Sequence, residues 1–174
     1  AMRDLEAFVE GPSFRQAFGA EALSKARKLL SAFPFAPVHS VTLSTMHGCP
    51  PAEIQRIGAY LIEEKGFDVY VKLNPTLLGY DRARSILDTT GWKDIEIKRE
   101  SFEHDLQWKD ALGLIETLGS KAKARKQRFG IKLSNTLANA NTGGRLPGGE
   151  RYMSGRALFP ITARLAAMLA DPEI

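Results

Sequence analysis

The chain has 174 residues, 44% hydrophobic and 25% charged, with a net charge of +4 and one cysteine. This composition suits one soluble domain with a single core, and no apolar run approaches the ~20 residues of a membrane span. A lone cysteine excludes an internal disulfide framework and any cluster or zinc site needing several cysteines from this chain; no metal site is expected. No leader with a basic start and an apolar centre is read at the N-terminus, so a cytoplasmic location is expected.

Residues 1–10 predict a helix in which Leu5, Phe8 and Val9 share a face, broken by Gly11-Pro12. Residues 14–30 predict a second helix, with Phe14, Phe18, Leu23, Leu29 and Leu30 available for burial, stopped by Phe33-Pro-Phe-Ala-Pro37. The first strand is expected over 38–43. Pro51 then opens a helix to about residue 65, because proline at the first helical position gives up an N–H that has no partner there anyway. Its core face is Ile54, Ile57, Leu61 and Ile62. A strand over 69–73, closed by Asn74-Pro75, precedes a helix over 80–87. Ile95-Glu-Ile97 predicts a third, more polar strand; a long helix over 106–125 and a fourth strand over 129–133 follow. The net positive charge gathers at 121–128, where cations favour a helix C-terminus. That run reads as a solvated helix end, and without interleaved aromatic platforms no nucleic-acid partner is expected.

Between the polar tip Ser134-Asn135-Thr136 and Ser154-Gly155-Arg156, which opens the last helix, roughly 20 residues read as a loop without structure of its own, longer than the ~12–15 residues beyond which loops are usually functional or disordered. A helix over 158–169 closes the chain. Strands alternating with helices predict a parallel sheet covered by helices. Two strands carry a near repeat, Val-Lys-Leu-Asn at 71–74 and Ile-Lys-Leu-Ser-Asn at 131–135. A lysine between inward apolar neighbours needs an anionic partner if it is buried, and on that ground Lys72 is expected to face a site. Lys132 is expected to point outward past the helices. Ser134-Asn135-Thr136, the glycine-rich loop and Ser154-Gly155 suit a ligand beyond the carboxyl ends of the strands, although the same order also serves a bare connection.

The strings LSTMHGCPP, VYVKLNPTLLGY, KLSNT and YMSGRALFPITARLAAMLA, in this order, resemble the flavin-type barrel of the selenate-reductase-like iron–sulfur subunit family. More distantly they are similar to dihydropyrimidine and dihydroorotate dehydrogenases. The resemblance covers about residues 38–170. It implies an α/β fold, a partial (β/α)8 TIM barrel with parallel strands, in which residues 1–37 form a helical N-terminal segment and 38–174 the central portion of an oxidoreductase barrel. It implies FMN at the carboxyl-end face, with Ser44, Lys72, Ser154 and Gly155 as cofactor contacts. Asn74, Asn135 and Thr136 would hold a small-molecule substrate, and Cys49 would move a proton while the flavin exchanges hydride. His47 would tune that thiol or cap the helix behind it.

A complete barrel has eight strands in about 250 residues. The chain is therefore expected to be a piece of a larger enzyme, consistent with Ala1-Met2 standing ahead of an internal start. Iron–sulfur and FAD/NADPH domains would be its redox partners. Open sheet edges predict self-association of the isolated piece, which light scattering would read as a species larger than a monomer. Two other readings stay open: a scaffold that docks redox partners and binds no flavin, and a lyase barrel using Lys72 for Schiff-base chemistry.

Overall fold

A computed structural model describes residues 2–32, 38–44, 48–144 and 146–171. The expected helix stop at 33–37 and the expected role of His47 fall outside these residues. The chain divides into two compact units, Ala1–His39 and Ser40–Ile174.

The first unit is a helix pair, α1 (Met2–Glu10) and α2 (Pro12–Ala32). Gly19 interrupts α2 with φ of +81°, a conformation open to glycine at little cost. Phe8 meets Phe14 edge-on at 5.8 Å, and Phe14 meets Phe18 at 4.9 Å. The Arg27 guanidinium spans both carboxylate oxygens of Glu10 and holds that carboxyl below its ordinary pKa. Of the aromatic and leucine positions expected to be buried in α2, Leu23 is buried, whereas Phe18 and Leu29 are 61% and 70% exposed.

The second unit is built on three parallel strands in the order β1 (Ser40–Ser44), β2 (Asp68–Leu73), β3 (Phe129–Leu133). Val69, Val71 and Leu73 alternate along β2 and are fully buried. They pack with Ile54 and Ile62 of α3 (Pro51–Glu63) and with Ala111, Leu114, Leu118 and Ala122 of α6 (Trp108–Ala124). Period two on the strand and three-to-four on the helices aim these side chains into one layer. The two helices approach closely at Gly58, where a Cβ would stand 2.7 Å from Leu118 Cδ1. Lys121 pairs with Glu63 at 2.7 Å across them, so part of the basic run is an ion pair rather than free solvated charge.

Between β2 and α6 lie the 3-10 turn Pro75–Leu78, α4 (Tyr80–Thr89) and the short α5 (Arg99–His104). The strand expected at Ile95-Glu-Ile97 does not form. Ile97 is buried as an apolar plug, and the Glu96 carbonyl accepts one bond, from the Ala140 amide at 2.8 Å. Three residues with one ladder contact are too few to make a strand. The expected structureless loop after β3 is also corrected. It contains an antiparallel hairpin, β4 (Leu137–Ala140) with β5 (Glu150–Met153), pairing Leu137 with Met153 and Ala140 with Glu150. Asn141 clips its tip, with Nδ2 donating to the carbonyls of Leu146 at 2.6 Å and Gly148 at 2.9 Å. The hairpin, α4, α5 and α7 (Phe159–Ala170) share a second apolar cluster that includes Leu78, Leu87, Phe102, Leu137 and Ile161.

No barrel closes among the described residues: the parallel sheet has three strands, not the four expected, and β1 and β3 each keep one edge unpaired. No described helix is long and apolar enough to cross a membrane.

Candidate functional site

In-register pairing decides which side chains share the sheet face opposite α3 and α6. Val41 and Leu43 of β1 and Phe129, Ile131 and Leu133 of β3 pack toward the helices. Beyond the pair Ser40 and Asp68 at the amino end, the alternate positions therefore form two layers on the other face. Thr42, Tyr70 and Gly130 are register partners in the lower one; Ser44, Lys72 and Lys132 are partners in the upper one, at the carboxyl end. Lys72, expected to face a site, lies on the sheet face away from the helices. Lys132, expected to point out past the helices, shares that face instead, because the two lysines occupy the same register position on neighbouring parallel strands. Tyr70 lies across Gly130, where a Cβ would come within 2.8 Å of the ring. Glycine is required there by close approach, and the ring forms a floor beneath the lysines.

Beyond the strand ends, polar side chains converge on Asp105, a residue that sequence reasoning did not single out. Its carboxylate is buried and accepts bonds from the Gly48 amide at 3.1 Å, Asn74 Nδ2 at 3.1 Å and Thr76 Oγ1 at 2.7 Å. Asn74 passes the connection on: its Oδ1 accepts from Asn135 Nδ2 at 2.7 Å. Asn135 also donates its amide N–H to the Leu73 carbonyl at 2.8 Å, and its Nδ2 to the Lys72 carbonyl at 3.3 Å. One chain of bonds therefore ties the loop after β1, the turn after β2, the start of α6 and the end of β3. Asp105 stands two residues before the Gln107 cap of α6, where a polar residue ordinarily reads as helix-start chemistry. Its burial was the missing information.

The other sequence-chosen residues are placed as follows. Asn74 is 3% exposed, with both ends of its amide engaged. Thr136 is half-buried between Asn135 and β4. Cys49 is half-buried against the helix-side apolar cluster, with Sγ 4.0 Å from the Pro50 carbonyl. Ser154 and Gly155 are exposed beyond β5, where Gly155 has φ of +65° and starts the 3-10 turn before α7. A cleft of about 400 Å³ opens over Asp105 and Gly48, walled by α5 and the hairpin through Ser101, His104, Glu150 and Tyr152. None of the sequence-chosen residues lines it. The lysine layer is an open wall rather than a concavity, since a three-stranded sheet does not curve back on itself.

Comparisons with known proteins locate this architecture. The model of the family described as oxidoreductase YgfK, N-terminal TIM-barrel domain, matches residues 13–172. Two proteins named "Putative oxidoreductase YgfK", from Escherichia coli strain K12 and from Escherichia coli O157:H7, are each 56% identical over 137 residues. That stretch is 79% of this chain and 13% of each relative, so the chain spans a small part of the curated proteins it resembles. No solved structure matches.

Proposed function

Because the chain belongs to the YgfK N-terminal TIM-barrel domain family, we propose that it is a section of a flavin-dependent oxidoreductase barrel within a larger redox protein. The observation that carries this reading is the placement of Lys72. It stands at the carboxyl end of β2, on the face away from the helices, with Asn135 hydrogen-bonded to its own carbonyl. In a closed barrel this face lines the interior and its carboxyl end is the chemical end.

The donor set fits FMN. Lys72 offers a cation and Ser44 a hydroxyl, which suit the carbonyl-rich edge of a flavin. Ser154 and Gly155 would hold its other end through backbone N–H groups. When bound, FMN supplies exchange of hydride or single electrons with a small substrate. The protein's part is positioning and charge: Lys72 favours negative charge at the ring edge, and Asn135, anchored through Asn74 and Asp105, orients a planar ligand. Thr136 completes the substrate contacts in this reading, with Asn74, buried and bonded at both ends of its amide, acting through Asn135, and with Cys49 as the proton donor. Iron–sulfur and FAD/NADPH domains of the parent are the redox partners, in the cytoplasm. The unpaired edges of β1 and β3 support self-association of the isolated chain.

The test is an FMN titration followed by absorption, on this chain and on a longer form carrying more of the parent sequence. Binding by either form, weakened tenfold or more by Lys72→Met, is the expected result, the loss of one charge-assisted bond. Absence of binding by both forms would favour a scaffold that docks redox partners without flavin.

A further inference from the structure

We propose that a recess between α4 and α7 is a binding site for a phosphate monoester with an apolar body, held by the guanidinium groups of Arg82 and Arg164. The recess has a volume of about 380 Å³, opens to solvent, and is lined by Asp81, Arg82, Ser85 and Ile86 of α4 and by Arg164 of α7. It shares no residue with the cleft over Asp105. None of its residues belongs to the flavin donor set, so the site goes beyond the reading above and does not rest on it.

The helical repeat builds the recess. Arg82, Ser85 and Ile86 are three and four positions apart and share one face of α4. On α7, Arg164 and Met168 are four positions apart, which sets their Cβ atoms roughly 5–6 Å from each other on one face. Arg82 Nη1 lies 4.0 Å from Met168 Sδ, so this guanidinium crosses from α4 to within a turn of Arg164. Met168 is buried in the second apolar cluster with Ala83 and Leu87, the inward residues of α4, and that packing fixes the spacing of the two helices beneath the arginines.

The pairing of the surrounding charges leaves these two cations to a ligand. Arg84 of the same helix is matched by Asp88 at 2.9 Å and also donates to the carbonyls of Ile95 and Trp92. Arg99 is matched by Asp81 at 2.7 Å and lies over the Tyr80 ring, 4.1 Å from its centre. Asp81, the carboxylate of the recess, is thus turned to Arg99. Among the described residues Arg82 and Arg164 take part in no ion pair, and the thioether that Arg82 meets is a weak acceptor. An anion between two guanidinium groups turns their repulsion into attraction. One arginine fork already satisfies the two oxygens of a carboxylate, whereas two forks and the Ser85 hydroxyl suit the three free oxygens of a phosphate monoester. Ile86 beside them offers apolar surface to the esterified group.

Calorimetric titration of this chain with phenyl phosphate at low ionic strength, and separately with inorganic phosphate, tests the proposal. One-to-one binding of phenyl phosphate is expected, about threefold or more tighter than inorganic phosphate and falling about tenfold or more in Arg82→Gln and in Arg164→Gln. Lys109→Gln removes the same charge from an exposed position of α6 outside the recess and should change the affinity less than about twofold. Both arginines are exposed, so their variants should keep the thermal midpoint of the parent chain. No binding of phenyl phosphate overturns the proposal. So does a loss in Lys109→Gln equal to that in Arg164→Gln, which is attraction to net charge alone, and so does inorganic phosphate binding as tightly as the ester.

Discussion

Asp105→Ala is expected to lower unfolding stability by about 3–4 kcal/mol, because it strands the buried Asn74 amide and Thr76 hydroxyl and removes the acceptor of the part-buried Gly48 amide. Each donor left unsatisfied costs on the order of 1–3 kcal/mol, part of which an entering water recovers. Asp105→Asn keeps the shape and one acceptor but turns an NH₂ toward a donor, so roughly half that loss is expected. Urea unfolding reads both: the midpoint should fall by more than ~1 M for the alanine variant at unchanged slope, given slopes of about 1–3 kcal/mol/M for domains of this size. A loss below about 1 kcal/mol would mean that solvent already satisfies these donors and that Asp105 does not organise the strand ends.

Leu137→Ala should cost a comparable amount, about 2–5 kcal/mol, for a different reason. Leu137 is fully buried at the start of the hairpin and packs in the second apolar cluster with residues of α4, α5 and α7. Truncation leaves a cavity at the place where the hairpin is joined to the helices. Leu118→Ala is the natural comparison, since it opens a cavity of similar chemistry in the first cluster between α3 and α6. If the two clusters form one cooperative unit, both variants unfold in a single transition with lowered midpoints. A separate early transition in Leu137→Ala alone would show that the hairpin region opens by itself.

The parts of the fold legible in the sequence are those in which local pattern and burial agree. Val69, Val71 and Leu73 alternate with polar neighbours, and Ile54 and Ile62 recur at helical spacing, so β2 and α3 were readable within a residue or two. Ile95-Glu-Ile97 shows the limit of that signal. Alternation of period two records which side chains are buried, and a buried isoleucine on an irregular segment leaves the same trace as one on a strand. The hairpin was hidden for the opposite reason. Leu-Ala-Asn-Ala and Glu-Arg-Tyr-Met are not rich in β-branched residues, and the pairing is supported by the Arg151–Asn139 bond at 2.7 Å and by Asn141 at the tip rather than by an apolar stripe.

At the site, the face of Lys72 was legible from its flanking residues, whereas that of Lys132 was not. Its flanks, Ile131 and Leu133, are as apolar as those of Lys72, and only the register of β2 with β3 shows that both lysines share one side. Asp105 could not be found from sequence spacing, since its partners lie 29, 31 and 57 positions away.

The Tyr70 ring lying over Gly130 bears on how such chains can vary. The two positions share a single volume, so a bulky residue at one requires a small residue at the other. Exchanging them, Gly at 70 with Tyr at 130, keeps the total size but swaps the strand that carries the ring and the strand that leaves room for it. Sequence drift at this pair would thus pass the ring from one strand to its neighbour without changing how tightly the space is filled.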